Sequence, residues 1–155
     1  MKFTTKEDIE APIDQVFNAV SDFPSFERSA LRRGAEVSRV DTFETSQVGS
    51  AWDIAFKFRG KERALRATLA EFDAPNSLVA DIVSKGIGGV TRVGLVPLSR
   101  SRTRLNVEIE LTPKSLAAKL LFKSMSLAKG NMNKRLARRV ADFAEDIEDQ
   151  FRKAT

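Results

Sequence analysis

Between residues 35 and 112 the apolar positions keep a period of two, and this run constrains the fold more than any motif does. In "SAWDIAFKFRG", Trp52, Ile54, Phe56 and Phe58 fall on one side, with Asp53, Lys57 and Arg59 on the other. In "TRLNVEIELT", Leu105, Val107, Ile109 and Leu111 alternate in the same way. Turn signals divide the run: "SQVG" around Gly49, Gly60, "APN", "KGIGG" and "SRSR". Short strands joined by tight turns, apolar on one face and wet on the other, form an antiparallel meander. The "GIGG" at residues 86–89 reads as a hairpin rather than a phosphate loop. No Lys-Ser/Thr follows it, and it leads into a strand.

The flanks change period. Residues 2–10 alternate as a further strand, with Phe3, Glu7 and Ile9 on one face. Pro12 suits the first turn of a helix, where its missing N–H is not needed. Ile13, Val16, Phe17 and Val20 then recur at helical spacing. "PSFERSAL" predicts a second short helix, stopped at Gly34. After the meander, Thr112 is placed to cap a helix and Pro113 to open it. Leu116, Leu120 and Leu127 form one apolar stripe, Gly130 predicts a break or hinge, and a second stripe follows. That stripe runs through Met132, Leu136, Val140, Phe143, Ile147 and Phe151. A large sheet with one apolar face needs a cover, and only the C-terminal helix is long enough to supply it. The expected architecture is one α+β domain over residues 1–155, with about seven antiparallel strands, a long C-terminal helix and two short helices between strands one and two.

Composition narrows the chemistry. The 155 residues contain no His, no Cys and no Tyr. That removes His-based zinc sites, thiolate metal sites, disulfides, cysteine nucleophiles and the Ser-His-Asp triad. No metal, no cofactor and no catalytic residue is assigned, and a binding protein is favoured over an enzyme. No apolar run approaches the roughly 20 residues of a membrane span. "MKFTTKEDIE" has no apolar signal core, so a cytoplasmic location is expected.

The opening stretch "IEAPIDQVFNAVSDFPSF" adds a family likeness. The Ala11-Pro12 pair, the Val16-Phe17 pair and the Asp22-Phe23-Pro24 turn, followed by Phe26, resemble the SRPBCC superfamily. This group includes START-related, birch-pollen-allergen-like and polyketide cyclase and lipid-transport proteins. "VGSAW" at residues 48–52 resembles its second hairpin, and the likeness in element order covers nearly the whole chain. It departs in carrying Phe17 and Phe26 where the family often has Trp. The resemblance implies a helix-grip fold, a curved sheet wrapped around the long helix with an apolar cavity between them. It also implies a small hydrophobic ligand such as a lipid, quinone or polyketide-like molecule. A minority of the family catalyse cyclisation or dehydration.

The candidate cavity residues are Phe17, Phe26, Trp52, Phe56, Phe58, Leu65, Val107, Ile109, Met125, Met132 and Leu136, and ordinary core packing would use the same side chains. Glu7 and Arg92 are the candidates for an inward polar group, and the only plausible ones for the inward acid or base that a cyclase or dehydratase would need. The strand at residues 90–98 can be read in either register, so Arg92 can fall on either face. Eight basic residues and no acidic one lie between Lys114 and Arg139. On the first part of that segment Lys119, Phe122 and Lys123 are expected to face outward, as a contact for an anionic membrane or a partner. A solvated face with pairs such as Arg138–Asp142 is the simpler alternative. A ribosome- or protein-interaction module is a third functional class. Nucleic acid is disfavoured, because no nucleic-acid motif accompanies the charge.

Overall fold

The computed structural model describes residues 1–155. Seven strands form one antiparallel sheet: β1 (Lys2–Ile9), β2 (Glu36–Arg39), β3 (Ala51–Phe58), β4 (Lys61–Asp73), β5 (Ser77–Ser84), β6 (Ile87–Ser99) and β7 (Arg102–Pro113). Their spatial order is β1-β7-β6-β5-β4-β3-β2. Helices α1 (Ile13–Val20) and α2 (Phe23–Arg32) connect the two opposite edges of the sheet, and α3 (Leu116–Met125) and α4 (Lys129–Ala154) follow the last strand. This is the expected helix-grip arrangement.

The pairing register assigns each side chain to a face. Phe3, Thr5, Glu7 and Ile9 of β1 pair with Ile109, Val107, Leu105 and Thr103 of β7, all on the inner face. Thr91, Val93 and Leu95 of β6 continue that face next to β7. Trp52 pairs with Ala67 and Ile54 with Leu65, which carries the apolar face to the far edge. The register shifts at Leu69/Glu71 and again at Pro97/Ser99. Each extra residue bends its strand, so the sheet curls around what it covers.

The main core joins Ile9, Val16, Phe17, Trp52, Leu69, Leu105, Val140, Ala144 and Ile147. It therefore takes residues from both ends of the chain, from α1 and from α4. Pro12 caps α1 from just outside it, and the helix is held by Val16, Phe17 and Val20, all buried. The exit from β1 is fixed by the Thr103 hydroxyl, which donates to the Ala11 carbonyl at 2.9 Å with both residues fully buried.

Helix α4 runs along the open edge of β1. The Thr4 N–H donates to Asn133 Oδ1 at 3.1 Å, and the Glu10 N–H donates to Glu148 Oε2 at 2.9 Å. Fifteen helical residues at about 1.5 Å span about the same length as six strand residues at about 3.3 Å. The two contacts are therefore in register, and they occupy backbone donors that an edge strand would otherwise present to another chain.

Several local expectations are corrected. Strand β7 extends to Pro113, so neither Thr112 nor Pro113 opens a helix. Ser115 caps α3 instead, its hydroxyl accepting from the Ala118 N–H at 3.1 Å. The helix break is the 3-10 turn Ser126–Ala128, while Gly130 lies inside the first turn of α4. In "GIGG" only Gly86 belongs to the turn, with φ +72°, and Ile87–Gly89 are already strand. A Cβ on Gly88 or Gly89 would come within 2.7 Å of Lys114 or Leu111, so these glycines make room for side chains at the end of β7, while the Gly86 turn lies against Ser115, the cap of α3.

Candidate functional site

The inner face is not filled completely. A cleft of about 1000 Å³ opens between α2, α4 and the middle of the sheet. Its floor is Leu78, Val93, Leu105 and Val107, from β5, β6 and β7. Val20, Phe23, Phe26 and Ala30 form one wall, and Val140 and Phe143 of α4 form the opposite one. Ten of the seventeen lining residues are hydrophobic, and the ionisable ones are Arg33, Arg135, Arg138, Arg139, Asp142 and Asp146. All six of these are exposed, so the charges belong to the rim rather than the floor.

Aromatic contacts hold α2 in place. Phe23 meets Trp52 at 4.9 Å between ring centroids, and Phe26 meets Phe143 at 5.6 Å across the cleft. The Trp52 indole N–H donates to Glu27 Oε1 at 2.7 Å. No residue of α2 is fully buried, so the helix rests on a few aromatic anchors. "SDFPSF" thus supplies both an N-cap, through Asp22, and the wall of the cleft.

Of the candidate cavity residues, Phe26 and Val107 line this cleft. Phe17 and Trp52 lie beneath it in the core, Phe17 packing against Phe72 at 5.4 Å. Leu136 packs against that core from α4. Phe56, Phe58, Leu65 and Ile109 are half-buried on the inner face but away from the cleft. Met125 is buried under α3 and Met132 is half-buried at the start of α4, both outside the cleft.

The polar candidates separate. Glu7 does face inward, opposite Leu105, but does not line the cleft. Arg92 faces outward, a correction to its inward reading: its guanidinium lies 3.3 Å from Glu108 and 3.5 Å from Glu110. The register that puts Val93 against Val107 on the inner face necessarily puts Arg92 on the other. Neither candidate for an inward acid or base therefore lines the cleft.

The outward placement expected for Phe122 is also corrected. Phe122 is buried, with Ala118 and Met125, whereas Leu116, Leu120 and Leu127 are exposed. Lys119 and Lys123 are exposed, as expected.

The arginines of the outer sheet face and those of the cleft rim differ in their partners. Arg66, Arg92, Arg102 and Arg104 on the strands are all ion-paired. The Arg104 guanidinium holds the Asp8 carboxyl below its usual range, and Lys2 does the same, more than Arg92 does, for Glu108. Arg33, Arg135, Arg138 and Arg139 form no ion pair, and the expected Arg138–Asp142 pair is absent. None of the rim arginines is a cleft candidate in the sequence reading, where Arg138 enters only as a partner for Asp142. The signal for Arg135 and Arg139 is their place, with Asp142 and Asp146, on a stripe one step around the helix from the apolar row.

A curved antiparallel sheet gripping a long helix over an apolar cleft defines the helix-grip class of fold. The model of the family "Polyketide cyclase / dehydrase and lipid transport" matches residues 1–148, and the chain belongs to this family, within the SRPBCC superfamily. Its structure is similar to the ZhuI aromatase/cyclase of Streptomyces sp. R1128 (TM-score 0.69, 10% identity, covering 99% of this chain and 97% of that one). It is also similar to norcoclaurine synthase of Thalictrum flavum, solved with dopamine and hydroxybenzaldehyde (0.59, 14%, 92% and 87%). A third is an HSP90 activator of Plasmodium falciparum (0.52, 22%, 74% and 76%). At these identities the likeness is one of fold. No curated protein sequence matches the chain. No helix is long and apolar enough to cross a membrane.

Proposed function

We propose that this protein binds or carries a small, largely apolar ligand of the lipid, quinone or polyketide-like class, held in the cleft between the sheet and α4. The observation that carries this reading is the cleft itself: about 1000 Å³, apolar across its floor, with every charged group at the rim. That volume is at the upper end of the range for small-molecule sites. Ligand burial would be driven by desolvation of apolar surface, worth about 25 cal/mol per Å². The unpaired rim arginines would receive a polar end. Because α2 is anchored mainly through Phe23, Phe26 and Glu27, it is the element best able to move aside for entry.

The enzymatic alternative, a cyclase or dehydratase, needs an acid or base against the reacting atoms. The only carboxylates lining the cleft are Asp142 and Asp146, both at the rim. Binding or transport is the reading with fewer requirements.

Titration with the uncharged fluorophore N-phenyl-1-naphthylamine tests it. The wild type should bind saturably. Val107→Trp, which fills the floor, should weaken binding at least ten-fold while retaining the wild-type Tm. Wild-type protein that neither binds the probe nor releases an apolar molecule on solvent extraction would sink the proposal.

A further inference from the structure

Helix α3 and the 3-10 turn after it expose leucines that a core helix would bury. Leu116, Leu120 and Leu127 are 75%, 61% and 95% exposed. At about 100° per residue they share an arc with Lys119 and Lys123, opposite the arc that buries Ala118, Phe122 and Met125. The apolar and the basic residues therefore occupy one solvent face. Two hairpins add charge at this end of the molecule. Arg59, from the β3–β4 turn, donates to the Ser124 hydroxyl on α3 at 3.1 Å, and Lys85 precedes Gly86, whose turn abuts Ser115. Lys114 and Lys129 bracket the helix, and no acidic residue occurs between positions 114 and 141.

We propose that this face docks α3 on an anionic lipid surface, with the leucines entering the interfacial layer and the lysines meeting lipid phosphates. A short helix with leucines bordered by lysines fits that environment, because lysine stems lie along apolar surface while their ammonium groups reach the headgroups. Charge selects this occupant over others. A second copy of the chain in a two-fold contact would set Lys119 and Lys123 against their own equivalents, and lysine is depleted from protein interfaces. The proposal does not depend on the cleft holding a ligand.

Vesicle flotation tests it, with phosphatidylcholine vesicles containing phosphatidylglycerol compared against phosphatidylcholine alone. The wild-type protein should float only with the anionic vesicles, and less as salt is raised. Leu120→Asp and Leu127→Asp should each weaken flotation at least ten-fold with the Tm unchanged. Lys119→Gln and Lys123→Gln should each weaken it about five-fold. Val83→Asp, at a 64% exposed valine on β5, should change nothing. The proposal is overturned if the wild type stays unbound at low salt, or if both leucine variants float like the wild type. It is equally overturned if the protein is dimeric by light scattering and Leu127→Asp makes it monomeric, or if it sediments with ribosomes through the same leucines instead.

Discussion

Helices α3 and α4 follow one another across a single 3-10 turn, yet they meet the sheet in opposite ways. Helix α4 places Val140, Ala144 and Ile147 in the core and hydrogen-bonds the edge of β1 at both ends. Helix α3 buries one aromatic ring and a methionine and leaves Leu116 and Leu120 in water, with Leu127 of the 3-10 turn exposed beside them. Both carry an apolar stripe. What distinguishes them is whether the rest of the fold supplies a surface opposite that stripe. Sheet residues share the core with α4, whereas α3 contributes nothing to that core and follows the end of β7, with the Gly86 turn against Ser115 and Ala118. An apolar stripe thus states a need for a cover without stating that this chain provides it.

Substitutions in α3 test that comparison most severely. Phe122→Ala should cost about 3–5 kcal/mol, the range for a buried aromatic. Leu127→Ala, on the same segment, should change stability by no more than about 0.5 kcal/mol. Urea unfolding of the two variants measures both. Equal losses would mean that α3 is rotated from the orientation described. In α4, Ile147→Ala should cost about 2–4 kcal/mol. A small loss there would break the claim that α4, and not α3, is the cover of the sheet.

The edge contacts of α4 contribute less. Asn133→Ala removes the acceptor of the Thr4 N–H in β1 and Glu148→Ala that of the Glu10 N–H just after it, and each should cost about 1 kcal/mol. Glu148→Gln keeps a carbonyl acceptor and should cost less than Glu148→Ala. Amide exchange at Glu10 should accelerate in the alanine variant and largely recover in the glutamine variant. If all three variants match the wild type, α4 is held by its apolar face alone.

The parts of this fold that were legible in the sequence are those where one periodicity governs many residues. Alternation in β1, β3 and β7 gave their faces correctly, and the α4 stripe gave its buried row. Arg92 was ambiguous because β6 carries valines at both parities, Val90 and Val96 on one side and Val93 on the other. Only pairing with β7 resolves that. Phe122 was misplaced because α3 has apolar residues around most of its circumference, so three leucines outvoted one phenylalanine. The cleft was legible only through the family likeness. Its floor and walls come from six separate elements, and no local pattern records which inner-face residues are left uncovered.

The smallest expected effect lies far from both helices, at the irregular connection before β3. Asp41 accepts from the Arg39 Nε at 2.6 Å and from the backbone N–H groups of Ala51 and Phe43 at 2.8 and 2.9 Å. These donors, Arg39 foremost, hold its carboxyl at about 2, below its ordinary value of 3.8. The folded state therefore prefers the ionised form more than the unfolded chain does. The resulting stabilisation is fully present above the unfolded value and is lost as pH falls from about 4 toward 2. Asp41→Asn should lower the urea midpoint at pH 7, and its difference from the wild type should shrink as pH falls through that window. A difference that is constant down to pH 2 would show that the residue acts through shape and neutral hydrogen bonds rather than through its charge. Unlike the exposed leucines beside α3, Asp41 finds its partners in its own connection and the strand ends that flank it, so its contribution should be insensitive to anything that docks on the helices.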